Sequence, residues 1–374
     1  MRVTQVRKGD NQRRSGTSVI ILPPAWLANV TILLVVALDQ VISELFATNG
    51  IEPILVDVGA SGGTPRIWQP IRQHSTYIGF DGDTREMQHH PQEKEFLHAR
   101  FVHEVITAEP GAGASGGSVR FYLTHSPWCS STLRPNPLIT DNFLSAESFI
   151  IEREEKAKAS SLSAIVDRLN LPQIDWMKID TQGTDLRIYE SLDQTLRDRM
   201  LAIDVEPGLR GAYMGEDLFC DVHKRFMAEG FWLSNIRVCG LVRMRKTTLD
   251  ELSKNDATLD GEAISKSLRT TPGWTECRYL RSLESLAKVG AAKRDYVALW
   301  VFAAIDKQFG FCLDLSLEYA RLFGSDDSGQ AMKAESLAQI QAAREALKQA
   351  KINGTPTLLG RVKRRLKRVL SRGR

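Results

Sequence analysis

From residue 54 onward, apolar runs of strand length alternate with segments whose apolar positions recur at helical spacing. Ile54–Val58, Tyr77–Phe80, Phe101–Thr107, Val119–Leu123, Ile174–Ile179, Leu201–Val205, Phe231–Val238 and Tyr296–Ala303 read as strands. The fourth follows a Gly/Ala/Ser-rich turn, Gly111–Ser118, and reads as a hairpin arm. Thr64–Gln73, Ser160–Leu169, Asp185–Leu196 and Asp217–Glu229 read as helices between them. Such alternation predicts an α/β fold: a mostly parallel sheet of seven strands with helices on both faces.

Three regions fall outside that rhythm. Residues 1–49 are predicted as a helical N-terminal extension, ahead of a domain spanning 50–305. Within it, 243–292 turns polar and mixed and reads as a helical insertion before the last strand, Tyr296–Ala303. Residues 306–374 read as a helical C-terminal extension, with Ser328–Lys351 rich in the good helix formers Ala, Gln, Glu and Lys.

Charge changes the picture at the two ends. The net charge is +4, yet the last fourteen residues hold eight Lys/Arg and no acid, so the rest of the chain falls from +4 to −4. A nucleic-acid-binding core would carry its basic patch on the folded body, so no nucleic-acid partner is expected. Leu358, Leu359, Val362, Leu366, Val369 and Leu370 recur at helical spacing between those cations. That is a basic amphipathic tail, suited to an anionic membrane surface or to solvent. At the other end, Ser15–Leu38 carries no charge and follows Arg13-Arg14. Pro23-Pro24 splits it, and a span needs roughly 20 predominantly apolar residues, so a helix docked on the fold or on a surface is the expectation. Five scattered cysteines without a CxxC pair suggest separate thiols in a cytoplasmic protein.

Candidate chemistry begins at the first strand. Ile54–Val58 runs into Gly59-Ala60-Ser61-Gly62-Gly63, giving Asp-x-Gly-x-x-Gly on Asp57, Gly59 and Gly62. Glycines permit a tight turn and close backbone approach to a ligand. This is not the G-x-G-x-x-G of dinucleotide binders. An acid just before the first glycine suits a ligand with an ammonium group and would repel a pyrophosphate. Asp81 ends the second strand about 20 residues past the glycines, where a ribose diol is bound in related folds. Asp83 competes for that role, and a turn-stabilising aspartate is the duller alternative for either.

Four further segments, in order, resemble the FkbM family of class I S-adenosylmethionine-dependent methyltransferases. Ser126-Pro-Trp-Cys-Ser-Ser-Thr-Leu133 is similar to its serine-rich turn, and Lys178-Ile-Asp-Thr-Gln-Gly-Thr-Asp185 to its most characteristic stretch. Leu201–Glu206 is similar to a strand ending in glutamate, and Tyr213–Phe219 with Gly230-Phe231 to the elements that close the domain. Gln182 and Asp185 depart from the two glutamates usual there, and Asp81-Gly82 from Glu-Pro.

The resemblance implies a Rossmann-like class I methyltransferase fold with S-adenosyl-L-methionine as cofactor. It further implies O-methylation of a hydroxyl on a small-molecule or glycan acceptor, as in polysaccharide biosynthesis. Asp57, Gly59, Ala60, Ser61, Gly62 and Asp81 become the candidate cofactor residues. Asp180, Glu206 and His125 become candidates for removing the hydroxyl proton. Each has a plainer role open to it. Asp180 is beside Lys178 in sequence register, Glu206 can orient loops, and His125 can be a surface turn residue. No metal is expected, and His89-His90 reads as an exposed helix end. The loss of charge at Gln182 keeps a second reading open: a non-catalytic module binding the cofactor or a glycan.

Overall fold

The computed structural model describes residues 38–61, 63–83, 85, 94–108 and 117–352. The N-terminal stretch through residue 37, Gly62, His89-His90, most of the Gly111–Ser118 turn and the basic tail lie outside them. Described residues divide into one unit over 50–299 and a second over 38–49 and 300–352.

Ten strands form in the first unit. They are β1 (Ile54–Val58), β2 (Thr76–Phe80), β3 (His98–Val102), β4 (Val105–Ile106), β5 (Gly117–Thr124), β6 (Ile151–Ser160), β7 (Trp176–Ile179), β8 (Ala202–Val205), β9 (Phe231–Leu241) and β10 (Thr271–Arg281). Seven of them make one sheet in the order β3-β2-β1-β7-β8-β10-β9. β3, β2, β1, β7 and β8 run parallel, with Val56 opposite Ile78 on one side and Met177 on the other. β10 is antiparallel to both β8 and β9. This is the mostly parallel, Rossmann-like order that the sequence predicts. Strand order reverses at β1, with β2 on one side and β7 on the other; sheets wound this way bind ligands beyond the carboxyl ends of their strands at such a point.

The central strands are short apolar runs because both faces are covered. Val56, Val58, Ile78, Met177, Ile179, Ile203 and Val205 are all at most 2% exposed and share one core. Burying each such side chain contributes roughly 1.5–3 kcal/mol. The helix Leu162–Leu169 starts where Ser161 Oγ accepts from Ala164 N and stops at Asn170, which takes the left-handed conformation at φ +51°. The helix Phe219–Ala228 lays Phe226 against Tyr189, Phe231 and Tyr279. Arg281, at the end of β10, is fully buried. It donates to Met200 O at 2.9 Å, Glu229 O at 2.6 Å and Arg197 O, so one guanidinium satisfies carbonyls at the ends of two helices.

Three expectations are corrected here. Tyr296–Ala303 is not a strand: it lies within the helix Lys293–Ile305. Residues 296–304 are each at most 1% exposed, and a helix buried all round loses the 3.6-residue stripe and reads as a plain apolar run. The strand that fills the sheet is β10, inside the stretch read as a helical insertion. That stretch does hold the helices Lys246–Asn255 and Gly261–Ser267. The predicted helix over 64–73 is a 3-10 helix, Arg66–His74, with Pro70 inside it.

β4, β6 and β5 form a separate three-stranded sheet. β6, Ile-Glu-Arg-Glu-Glu-Lys-Ala-Lys-Ala-Ser, has no apolar run to announce it; it is buried only at its last two residues and pairs antiparallel with β5. In the second unit the helices Phe309–Phe323 and Asp327–Ile352 form a hairpin turned at Gly324, φ +84°. Asp326 ties the turn, accepting from Tyr319 Oη and Gly329 N. No helix among the described residues is long and apolar enough to cross a membrane.

Candidate active site

The carboxyl ends of β1, β2, β7 and β8 gather most of the residues singled out from sequence. β1 ends in Gly59 at φ +78°. Gly59 N and Ala60 N both donate to Phe80 O at 2.9 Å, fastening the turn to β2. A Cβ on Gly59 would run into the carbonyl oxygen of Asp180. Glycine is therefore required here by the approach of the β7 end as well as by the turn.

Asp81 sits at the end of β2, as predicted. Its Oδ2 accepts from Ser61 N at 2.8 Å and its Oδ1 from Asp83 N at 2.8 Å. The acid thereby locks the glycine turn to the β2 end, keeping a further lone pair on each oxygen. Burial holds its carboxyl above the ordinary range. Asp83 behaves differently: burial pushes its carboxyl up, but the fork of Arg85 at 2.7 Å more than offsets this and the carboxyl ends up lower. Arg85 also reaches Thr124 O and Ser130 Oγ, so Asp83 is occupied in tying β2 to the serine-rich turn.

Asp57 is buried in an ion pair. It is 1% exposed, with Lys178 Nζ 3.2 Å from its Oδ1 and the Tyr77 hydroxyl donating to Oδ2 at 3.3 Å. The ammonium partner expected for this acid is supplied by the protein. Lys178 in turn donates to Gly59 O at 2.8 Å and lies 3.5 Å from Asp180 Oδ2. Burial disfavours the charged amine, but Asp57, Asp180 and Glu206 together outweigh it, and Lys178 is held protonated well above its ordinary value.

Asp180 and Glu206 end neighbouring parallel strands. Asp180 N is held by Val58 O at 2.9 Å, and Asp180 Oδ1 accepts from Gln182 Nε2 at 2.7 Å. Gln182 takes φ +57°, and its Oε1 lies 3.1 Å from the hydroxyl of Tyr213, which also reaches Cys129 O at 2.9 Å. Ser131 Oγ, from the serine-rich turn, lies 2.9 Å from Gln182 O and 3.2 Å from Thr181 O. Beneath them Asp185 is buried and accepts from Thr181 N, Thr181 Oγ1 and Glu206 N. Burial and then the charge of Asp180 push its carboxyl up to about 7. Glu206 is half-buried.

His125 stands apart from that cluster in its contacts. It is exposed, its Nδ1 is 2.9 Å from Glu152 Oε1, and its backbone N donates to Ile150 O. Gly62 falls outside the described residues, while Gly63 has φ +100°. Among the described residues no group of three or more His, Cys, Asp or Glu side chains is placed to hold a metal ion, and the five cysteines are free thiols.

Tyr213 and Arg210 carried no sequence signal as site residues. Both lie on the loop after β8, which is pinned by Asn136 N to Ala212 O at 2.8 Å, Met214 N to Arg134 O at 2.9 Å and Leu209 N to Gly273 O at 3.1 Å. Only the tertiary pairing of that loop with residues 134–136 brings them to these strand ends.

No family model matches the sequence, and no curated protein matches it. Among solved structures the chain is similar to magnesium protoporphyrin IX methyltransferase (ChlM) from Synechocystis PCC 6803 with bound SAM. The identity is 12% and the TM-score 0.27, covering 66% of this chain and 78% of that one. A likeness of that size carries no assignment, so function is read from this chain's own topology and strand-end residues.

Proposed function

We propose that this chain is an S-adenosyl-L-methionine-dependent methyltransferase that methylates a hydroxyl oxygen, on a saccharide or similar acceptor. The observation that carries the reading is the charge at the switch point of the sheet. Lys178 is enclosed by the carboxylates of Asp57 and Asp180 and feels that of Glu206, with Asp81 anchoring the glycine turn alongside. An acidic cluster of this kind favours a cationic nucleoside and opposes a dinucleotide pyrophosphate.

The residues fit that group. The Gly59–Ser61 backbone, held to Phe80 and Asp81, forms the glycine turn beside which a nucleoside binds in sheets of this order. Asp81 keeps acceptor capacity for a ribose diol. The cofactor supplies an electrophilic methyl group on a sulfonium sulfur. Asp180 and Glu206, at the next two strand ends, line the acceptor side, where a carboxylate orients the hydroxyl and takes its proton. Asp57 and Lys178 act from below, positioning Gly59 and Asp180. His125 would take part only through an acceptor long enough to reach the small sheet.

Titrating the full-length protein with S-adenosylhomocysteine by calorimetry tests this reading. Saturable binding, with no thermal stabilisation by NAD, is expected. Stabilisation by NAD and none by S-adenosylhomocysteine would overturn it. A second reading follows from Gln182, whose amide occupies Asp180 Oδ1: a module that binds cofactor without turnover. Methyl transfer to sugar acceptors separates the two. We further propose a cytoplasmic protein whose basic tail meets an anionic membrane surface. Deleting residues 355–374 should then abolish flotation with anionic liposomes and leave cofactor binding intact.

A further inference from the structure

The carboxyl edge of the sheet holds cationic chemistry that the proposed methyl transfer does not use. β9 runs parallel to β8, because each is antiparallel to β10. The loops after β8 and β9 therefore leave the same edge as Asp180 and Glu206. Arg210 lies in the first loop and Arg243 in the second. Both guanidinium groups approach one aromatic ring, that of Phe143: Arg210 Cζ is 3.9 Å from its centroid and Arg243 Cζ is 5.7 Å.

Arg210 is poorly answered by the protein. Its Nε and Nη1 are closed off from solvent and have no hydrogen-bond partner among the described residues. The residue as a whole is half-buried, and Nη2 is the nitrogen of the guanidinium that is not among these closed-off atoms. Glu216 is the carboxylate that acts on it most, but from beyond ion-pair distance, and Glu216 Oε2 is already committed to Tyr213 N at 3.1 Å. An arginine cannot shed its proton to escape such a site. A guanidinium stacked on a ring and short of acceptors is built to take a planar or tetrahedral oxyanion at its edge. Arg243, exposed on the same ring, adds a second charge on the approach.

The position links this group to the chemistry. Arg210 and Tyr213 share a loop, the Tyr213 hydroxyl touches Gln182, and Gln182 holds Asp180. We propose that Arg210, with Arg243 beside the same Phe143 ring, binds an oxyanion of the acceptor, so that the substrate is an acidic saccharide carrying a carboxylate or a phosphate. This rests on the methyltransferase reading for the word acceptor, but the anion site is measurable by itself.

Three sugars distinguish the sources: glucose, glucuronate and glucose 6-phosphate, each titrated into the full-length protein with and without S-adenosylhomocysteine. One or both acidic sugars should bind at least about tenfold more tightly than glucose, and the better of the two identifies the anion. Arg210→Gln should weaken that binding by roughly ten- to a hundredfold while the affinity for S-adenosylhomocysteine stays within twofold of the parent (about the resolution of the titration). Arg243→Gln, an exposed site that leaves folding intact, should weaken it by about threefold. Equal affinity for all three sugars, no binding of any, or acidic-sugar binding indifferent to both variants overturns the proposal. If Arg210→Gln proves unfolded, Arg243→Gln alone decides. Binding of S-adenosylhomocysteine without anion preference sinks this inference alone, and the reverse result sinks the cofactor reading alone.

Discussion

The side-chain amide of Gln182 donates to Oδ1 of Asp180 at 2.7 Å from a backbone held at φ +57°. A residue in that conformation persists only because its surroundings fix it, here Tyr213 at the side chain and Ser131 at the carbonyl. The glutamine is therefore a neutral donor placed against an acid, where a glutamate would meet it as a like charge.

Gln182→Glu removes the donor and sets two carboxylates in contact, which raises one of their pKa values. A raised folded-state pKa gives stability that is present at low pH and lost as pH rises. The variant should lose about 1–3 kcal/mol at pH 8 and less at pH 5, measured by urea unfolding at both. An equal loss at the two values would refute the charge argument.

Lys178→Met removes the cation that offsets the burial of Asp57 and leaves that carboxyl with only Tyr77 to answer it. Removing one member of such a pair costs roughly 3–5 kcal/mol. The double variant Lys178→Met/Asp57→Asn should recover most of this. A denaturation cycle over the four proteins reads the coupling; simple additivity would show that the two residues are not a pair.

Asp185 has a folded-state carboxyl raised from 3.8 to about 7, with burial the first cause and Asp180 the second. Its contribution to stability is full below about pH 4 and is lost as pH rises through about 7. Asp185→Asn cannot titrate, so the gap between parent and variant should narrow across that window. A constant gap from pH 4 to 8 would contradict the assignment.

Gly59→Ala must hold φ +78° and push its methyl against the Asp180 carbonyl. The left-handed backbone alone costs about 1–2 kcal/mol for an L-residue, and the collision adds to it. Unfolding free energy should drop by more than that figure, and S-adenosylhomocysteine binding should fall at least tenfold. Parent-like values for both would remove Gly59 from the turn's requirements.

The central parallel strands were legible because both faces of each are buried, which leaves apolar runs such as Ile54–Val58 and Leu201–Val205 in plain view. Tyr296–Ala303 gave the same signal for a different reason, full burial of a helix. β10 was hidden by its own alternation of buried and half-exposed positions within a polar stretch. At the site, Asp81 and Asp180 could be placed because they end strands. The ion pair of Asp57 was not legible, since its partner Lys178 lies on β7, far along the chain from β1. Arg210 depends on a loop pinned by residues from distant segments, and no local pattern records that.

β10 is hydrogen-bonded to β8 and β9 at once, yet follows both in the chain. On the ribosome, β8 and β9 emerge before the strand that joins them exists. A nascent chain halted near residue 245 would carry two open strand edges with nothing between them, an invitation to intermolecular pairing. Fragments ending at 245 should precipitate where the full chain stays dispersed, and the last stage of sheet closure should wait for Arg281 to clear the exit tunnel.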